Sequence, residues 1–353
     1  MSELRCLIYG AYGYTGELTA RFAAERGMRP ILAGRNPAKT EAVAKRFGFE
    51  ARSFGLNDPT ALQKNLEGIH VVLHCAGPFE VTSKPMLDAC LAVKAHYLDI
   101  TGEIQVFEAA QGRDAEAKAA GVCVMPGTGF DVVPSDCLAL HLKQRLPDAT
   151  FLRLAFMGLT KTSHGTATTM VRNLGKSGLV RRGGEIVDSP LGSLTRVVDF
   201  GEVGEQHCMA IPWGDVSTAY FSTGIPNIEV YTRVPKAAAF GARLADMMPG
   251  VMGSSFVKGK LQRRIDQGPA GPTDEQRARG ASFLWGEVEN AGGKRVVSRL
   301  KTPEGYSLTA DASLRVVEAA FAGKLPSGFQ TPASALGADF ILECDHTRRE
   351  DLL

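Results

Sequence analysis

Short apolar runs alternate with stretches of helical spacing over the first 125 residues. Four to six apolar positions without polar alternation read as strands buried on both faces. Such runs fall at 4–9, 30–33, 50–54, 71–76, 97–100 and 122–125. Between them, helical periodicity predicts helices over 16–26, 37–47, 59–66, 84–94 and 104–120. Asn36, Asp58 and Ser83 each stand just before one of these helices, where a side-chain oxygen can accept free first-turn amides. Six strands joined by helices predict a doubly wound parallel sheet, a Rossmann-type α/β domain over residues 1–134.

Beyond Pro134 the pattern changes. A helix over 135–145 is followed by alternating, strand-like stretches at 150–156, 194–200, 207–211, 217–222, 227–232, 283–289 and 295–300. The last two flank Asn290–Gly293, a hairpin signal. Helices are expected at 166–174, 236–247 and 307–322. The reading is a second α+β domain over 135–323 on a mostly antiparallel sheet, with 324–353 packing back onto the first domain. The polar, Gly- and Pro-rich stretch 266–280 reads as a surface connection or an active-site lid.

Composition narrows the class. Charged residues make up 22% and the formal net charge is +2, which excludes a dedicated nucleic-acid binder. The Arg181–Arg182 pair reads as a solvated loop. Seven scattered cysteines form no Cys-x-x-Cys pair and suit a reducing compartment. Residues 1–5 are too short and polar for a signal peptide, and no apolar run approaches a membrane span. These features point to a cytoplasmic soluble protein without a metal site.

Gly10-x-x-Gly13-x-x-Gly16 follows the first strand and opens the first helix. In that context Gly10 permits a tight turn, Gly13 lets the main chain approach a pyrophosphate, and Gly16 lets helix and sheet pack closely. The amides of Tyr14, Thr15 and Gly16 then face phosphate oxygens. The phenols of Tyr12 and Tyr14 flank this loop. At the end of the second strand, where an NAD binder carries an acid, the chain reads Gly34-Arg35-Asn36. A guanidinium there suits a 2′-phosphate, so the expected cofactor is NADP(H).

Ligands of such sheets lie beyond the carboxyl ends of the strands. Ala76, Gly77, Pro78 and Phe79 end the fourth strand, and Thr101, Gly102 and Glu103 the fifth; all seven are expected to line the cofactor. Phe130 and Asp131 follow the sixth. His164 is the leading candidate proton donor, since its unperturbed pKa of about 6.5 suits acid–base work near neutrality, and Asp131 is the second. Ser163, Gly165, Thr166 and Phe130 are candidate substrate contacts.

Taken together, GAYGYTG, LAGRN, CAGPFEVTSKPMLDACLAVKAHYLDITGE, PGTGFDVVPSD, TSHGTATTM, TGIPNIEVYT and GYSLTADASLRVVEAAFAGKLPSGFQTPASALG resemble the saccharopine dehydrogenase-like oxidoreductases, a family that includes trans-acting enoyl reductases. The resemblance implies a Rossmann domain bearing NADP(H), a second domain inserted after the sixth strand, a C-terminal return to the first, and a homodimer formed through the second. Where the family often reads Ser-Gly-Gly-Thr, this chain has Ser163-His164-Gly165-Thr166. The expected activity is NADPH-dependent hydride transfer to a polarised C=C or C=N bond of a small organic substrate. Two alternatives remain: a semialdehyde-type reductase with a cysteine nucleophile, for which Cys75 and Cys137 lie near strand ends, and a non-catalytic NADP(H) sensor.

Overall fold

β1 (Cys6–Tyr9) is four consecutive buried residues ending at Gly10, and β2 (Ile31–Gly34) and β4 (Val71–His74) are equally buried along their whole length. A computed structural model of the chain describes residues 4–158, 163–246, 250 and 254–352. These residues fall into two units, 4–133 with 306–344 and 134–305 with 345–352.

In the first unit β1, β2, β3 (Ala51–Ser53), β4, β5 (His96–Asp99) and β6 (Cys123–Met125) form a parallel sheet in the order 6-5-4-1-2-3. Gly328–Phe329 adds a seventh, parallel strand beside β6. The sheet carries α1 (Tyr14–Glu25), α2 (Pro37–Phe47), α3 (Pro59–Leu66), α4 (Phe79–Val93), α5 (Ile104–Gln111) and α6 (Asp114–Ala120). Leu7, Ile31, Val72, Tyr97 and Val124 join one core cluster, while Ile8, Leu32, Leu73 and Leu98 are fully buried between them along the same strands. Burying both faces removes apolar area at roughly 25 cal/mol per Å², which favours this layering over an exposed sheet.

Local chemistry explains the helix starts. Asn36 and Asp58 cap α2 and α3, their side chains accepting the Lys39 amide and the Thr60 and Ala61 amides. Three expectations are corrected. α4 begins at Phe79, not after Ser83, because its cap comes from far along the chain: the Glu103 carboxylate accepts the Phe79 (3.1 Å) and Glu80 (2.7 Å) amides. The expected helix over 104–120 is two helices, broken at Gly112–Arg113, where Arg113 turns to pair with Asp88 and Glu116. The helix Gly305–Phe321 packs within the first unit from Tyr306 onward, whereas residues 345–352 return to the second. Its residues Thr309 and Ser313 bond the loop after β6, which draws it there.

The second unit holds a nine-stranded mixed sheet. Ala149–Gly158 lies parallel to Asn227–Arg233 and antiparallel to Ala281–Asn290, and the other pairings are antiparallel. The Ala281–Asn290 and Arg295–Pro303 hairpin turns through Gly293, whose φ is +79°. The helix Val133–Arg145 seats Leu142 against Gly286, where a β-carbon would fall 2.5 Å away.

Residues 217–222, expected as a strand, belong to the helix Asp215–Thr223, capped off by Gly224 at φ +67°. Arg181–Arg182 is not a solvated loop but the end of the strand Gly178–Arg182. Arg181 is buried, bonds the Val216 and Gly184 carbonyls and lies over the Tyr220 ring, while Arg182 pairs with Glu229. The helix Ser255–Asp266 was not foreshadowed, and within 266–280 a short helix, Asp274–Arg279, starts from a Thr273–Gln276 capping box. The helix expected over 236–247 runs Lys236–Asp246, and position 247 lies outside the described residues. Among the described residues no helix is long and apolar enough to cross a membrane, and no group of three His, Cys, Asp or Glu is placed to hold a metal.

Candidate nucleotide-binding and active site

The turn after β1 leaves no room for a side chain at Gly10 or Gly16. Gly10 sits at φ +86°, and a β-carbon there would fall 2.8–3.0 Å from Ala76. On Gly16 it would fall 2.3 Å from the Gly10 carbonyl oxygen. Gly13, exposed at the cap position of α1, has no side chain to close the helix end, which leaves the first turn of α1 without a side-chain cap. This bare main chain at a helix N-terminus fits a diphosphate. Tyr14 meets Tyr306 edge-on, centroids 5.2 Å apart.

At the end of β2 the Tyr12 ring covers Gly34, where a β-carbon would lie 2.6 Å from a ring carbon. Lys39 Nζ stands 5.9 Å from the centre of the same ring. Arg35 is exposed, and among the described residues neither Arg35 nor Lys39 is in an ion pair. The exposed Arg35 and Lys39, four residues apart after β2, with Lys39 over the Tyr12 ring, fit a phosphate on an adenosine ribose. Lys39 escaped the sequence reading, although its place one turn after Arg35 was a usable signal. Asn36 carries a structural duty as well, since its amide oxygen caps α2.

Beyond β4, the buried His74 bonds Thr82 through Nε2 (3.0 Å), and Thr82 Oγ1 donates to the Ala76 carbonyl (2.7 Å). Burial depresses the His74 pKa to about 3, so the ring is neutral. Phe79 packs edge-on against it at 5.4 Å, which makes Phe79 largely a buried wall of the Gly77–Pro78 turn. Glu103 serves as the cap of α4, and Thr101 is buried, its hydroxyl accepting the Glu103 amide.

The loop after β6 brings Asp131 to the loop after β5. A β-carbon on Gly102 would stand 2.8 Å from Asp131 Oδ2, so the carboxyl lies directly against the Gly102 main chain. Asp131 accepts no amide at a helix start. Among the described residues its carboxyl has no hydrogen-bond or ion-pair partner, and burial raises its pKa to about 7. Phe130 donates its amide to Thr309 Oγ1 (3.0 Å), and Thr128 Oγ1 meets Ser313 Oγ (3.2 Å). Asp99, buried at the end of β5, was missed altogether. It accepts the Tyr97 hydroxyl and the Thr101 and Gly127 amides, and burial raises its pKa to about 6. An acid at a strand end carries no distinctive sequence signal.

His164 belongs to the second unit and opens the helix His164–Asn173. Its Nε2 lies 2.9 Å from Asp266 Oδ1, and its amide donates to the Ala270 carbonyl. Ser163 caps the helix, its hydroxyl accepting the Thr166 amide (3.3 Å), and Gly165 lies between them. Ser163, His164, Gly165 and Thr166 are therefore grouped at one helix start, while Phe130 and Asp131 belong to the first unit.

Residues 6–125 match the family model described as the saccharopine dehydrogenase NADP-binding domain. A trans-acting enoyl reductase of Mycobacterium ulcerans (strain Agy99) is 30% identical over 151 residues, covering 40% of this chain and 36% of that protein. One from Mycobacterium leprae (strain TN) is 31% identical over 152 residues, covering 41% of this chain and 36% of that protein. The match thus spans only 36% of those curated relatives' length. In fold, the chain is similar to saccharopine dehydrogenase (L-Glu forming) from Saccharomyces cerevisiae, with a TM-score of 0.70 at 14% identity over 99% of this chain and 100% of that one. Homospermidine synthase from Legionella pneumophila, solved with NAD, gives 0.69 at 10% identity over 99% of this chain and 92% of that one. Residues 6–125 are thus similar to a saccharopine dehydrogenase NADP-binding domain, a match that lies within the first unit.

Proposed function

We propose that the chain is an NADP(H)-dependent oxidoreductase acting on a polarised C=C or C=N bond of a small organic substrate, with Asp131 as the proton donor. The observation that carries this reading is the pairing, in one unit, of a glycine-rich loop at a helix N-terminus with a half-buried carboxyl at the same end of the sheet. When bound, the nicotinamide supplies the hydride chemistry. The main chain of Gly10–Gly16 would hold its diphosphate, Arg35 and Lys39 the 2′-phosphate, and Ala76–Phe79 with Thr101–Glu103 the nicotinamide side.

Asp131 suits proton donation because a carboxyl with a pKa near 7 is substantially protonated at neutral pH. Its lack of a hydrogen-bond partner leaves the carboxyl available to a substrate atom. His164 is the second candidate donor, with Ser163, Gly165 and Thr166 offering amides and hydroxyls to a substrate oxygen. A homodimer formed through the second unit and a cytoplasmic location complete the reading; the reducing setting suits seven free cysteines.

The semialdehyde alternative fits less well. Burial pushes the Cys75 thiol well above the ordinary range, and Cys137 is fully buried, whereas a nucleophile needs an accessible thiolate. The test is NADPH oxidation against enoyl thioesters, cyclic imines and 2-oxo acids, with wild type and D131N. Turnover on one class that D131N lowers at least about 100-fold supports the assignment. Firm NADPH binding without turnover on any class would favour a sensor.

A further inference from the structure

We propose that Asp99 is the positioning residue of this site, its carboxylate fastening the loops after β5 and β6 to each other so that Asp131 is held against Gly102. The proposal rests on the reading of Asp131 as the proton donor. The β5–β6 ladder ends at Leu98↔Met125, so the sheet itself stops short of both loops. Asp99 extends the connection past that point. Oδ1 accepts the Thr101 amide from its own loop at 2.9 Å and the Gly127 amide from the other at 3.0 Å. Oδ2 accepts the Tyr97 hydroxyl at 2.6 Å, which fixes the rotation of the carboxylate. The Asp99 carbonyl adds the Thr128 amide (2.7 Å) and hydroxyl (2.9 Å).

One side chain therefore sets the separation of Thr101 and Gly127, and Gly102 and Asp131 follow them within four residues. Asp99 itself is fully buried, so it acts through the loops and not on a ligand. The titratable groups acting on it are Tyr97 on its own strand, Cys75 after β4 and Glu103 at the start of α5. A purely apolar residue here would leave two buried amides unpaired, the asymmetry that makes such an acid hard to replace.

The test titrates Asp131 by carboxyl NMR in full-length protein labelled with 13C-aspartate, the signal being assigned with D131N. In wild type the midpoint is expected near 7. In Asp99→Ala it should fall by about one unit or more toward the ordinary carboxylate value, and NADPH affinity should weaken roughly tenfold. Asp99→Asn, which keeps an oxygen for both amides, should restore the wild-type midpoint; a core residue without a positioning role would leave it unmoved in all variants. If Asp99→Ala does not fold, Thr128→Val, which removes the hydroxyl bond at similar volume, should lower the midpoint by a smaller amount. A wild-type midpoint near 7 that none of these variants moves overturns the proposal alone. A wild-type midpoint near 4 overturns the reading of Asp131, and the proposal with it.

Discussion

Gly102 and Asp131 are in direct contact: a single β-carbon on Gly102 would stand 2.8 Å from one carboxyl oxygen of Asp131 and 3.1 Å from its carboxyl carbon. Gly102→Ala must therefore push the Asp131 side chain out of its place. The expected cost is about 1–3 kcal/mol of stability, with the Asp131 titration midpoint moving toward the ordinary carboxylate value. Thermal unfolding and carboxyl NMR measure the two effects, and an unchanged midpoint would mean that the contact is not what holds the acid.

Arg35 and Lys39 are exposed cations on either side of the reading for the cofactor. Arg35→Ala should reduce the preference for NADPH over NADH by about 10- to 100-fold, or about 1.4–2.8 kcal/mol. Lys39→Ala should do the same to a smaller degree. Affinities for both nucleotides, measured on each variant, test this: NADH affinity should stay level while NADPH affinity falls.

Gly16 has the least space of the three loop glycines. An added methyl 2.3 Å from the Gly10 carbonyl oxygen meets main chain, which cannot yield as a flexible side chain would. Gly16→Ala should destabilise by about 1–3 kcal/mol and weaken NADPH binding at least tenfold. Gly55→Ala, where a β-carbon meets nothing within 4 Å, is the control and should change stability by no more than about 0.5 kcal/mol.

Stability should depend on pH through Asp131. Burial raises its folded-state pKa from 3.8 to about 7, so the folded chain holds that proton more tightly than the unfolded one. The stabilisation is complete below the unfolded value and is lost as pH rises through about 7. D131N does not titrate there, so it should gain on wild type by on the order of 4 kcal/mol between pH 4 and 8. Asp99, raised to about 6, acts with the same sign and leaves a residual slope in D131N. Urea unfolding across that range gives both slopes, and parallel curves for the two proteins would contradict the raised pKa of Asp131.

The parallel sheet was legible because its determinants are local. β1, β2 and β4 are apolar over their full lengths, and Asn36 and Asp58 are caps that act within three residues. Where the partner lies far along the chain, the pattern misled. Glu103 caps α4 from more than twenty residues away, and Arg181 is buried because Val216, Gly184 and Tyr220 receive it. Residues 217–222 have the β-branched and aromatic content of a strand, yet Gly214 and Gly224 bracket them as a helix, tertiary context overriding propensity.

The glycine loop of the site was equally readable, since Gly13 and Gly16 answer to contacts inside one strand–turn–helix unit, although Gly10 is closed off by Ala76 after β4. Asp131 stood second to His164 among the candidates, and its setting was not legible. The contact with Gly102 and the bracing by Asp99 and Thr309 exist only once β5, β6 and the helix Gly305–Phe321 are assembled.

Calorimetric titration of the purified chain with NADPH and with NADH tests the central claim most directly. Saturable one-site binding of NADPH, about 10- to 100-fold tighter than NADH, is the predicted result. Absence of binding heat for both nucleotides across a range of temperatures would contradict it.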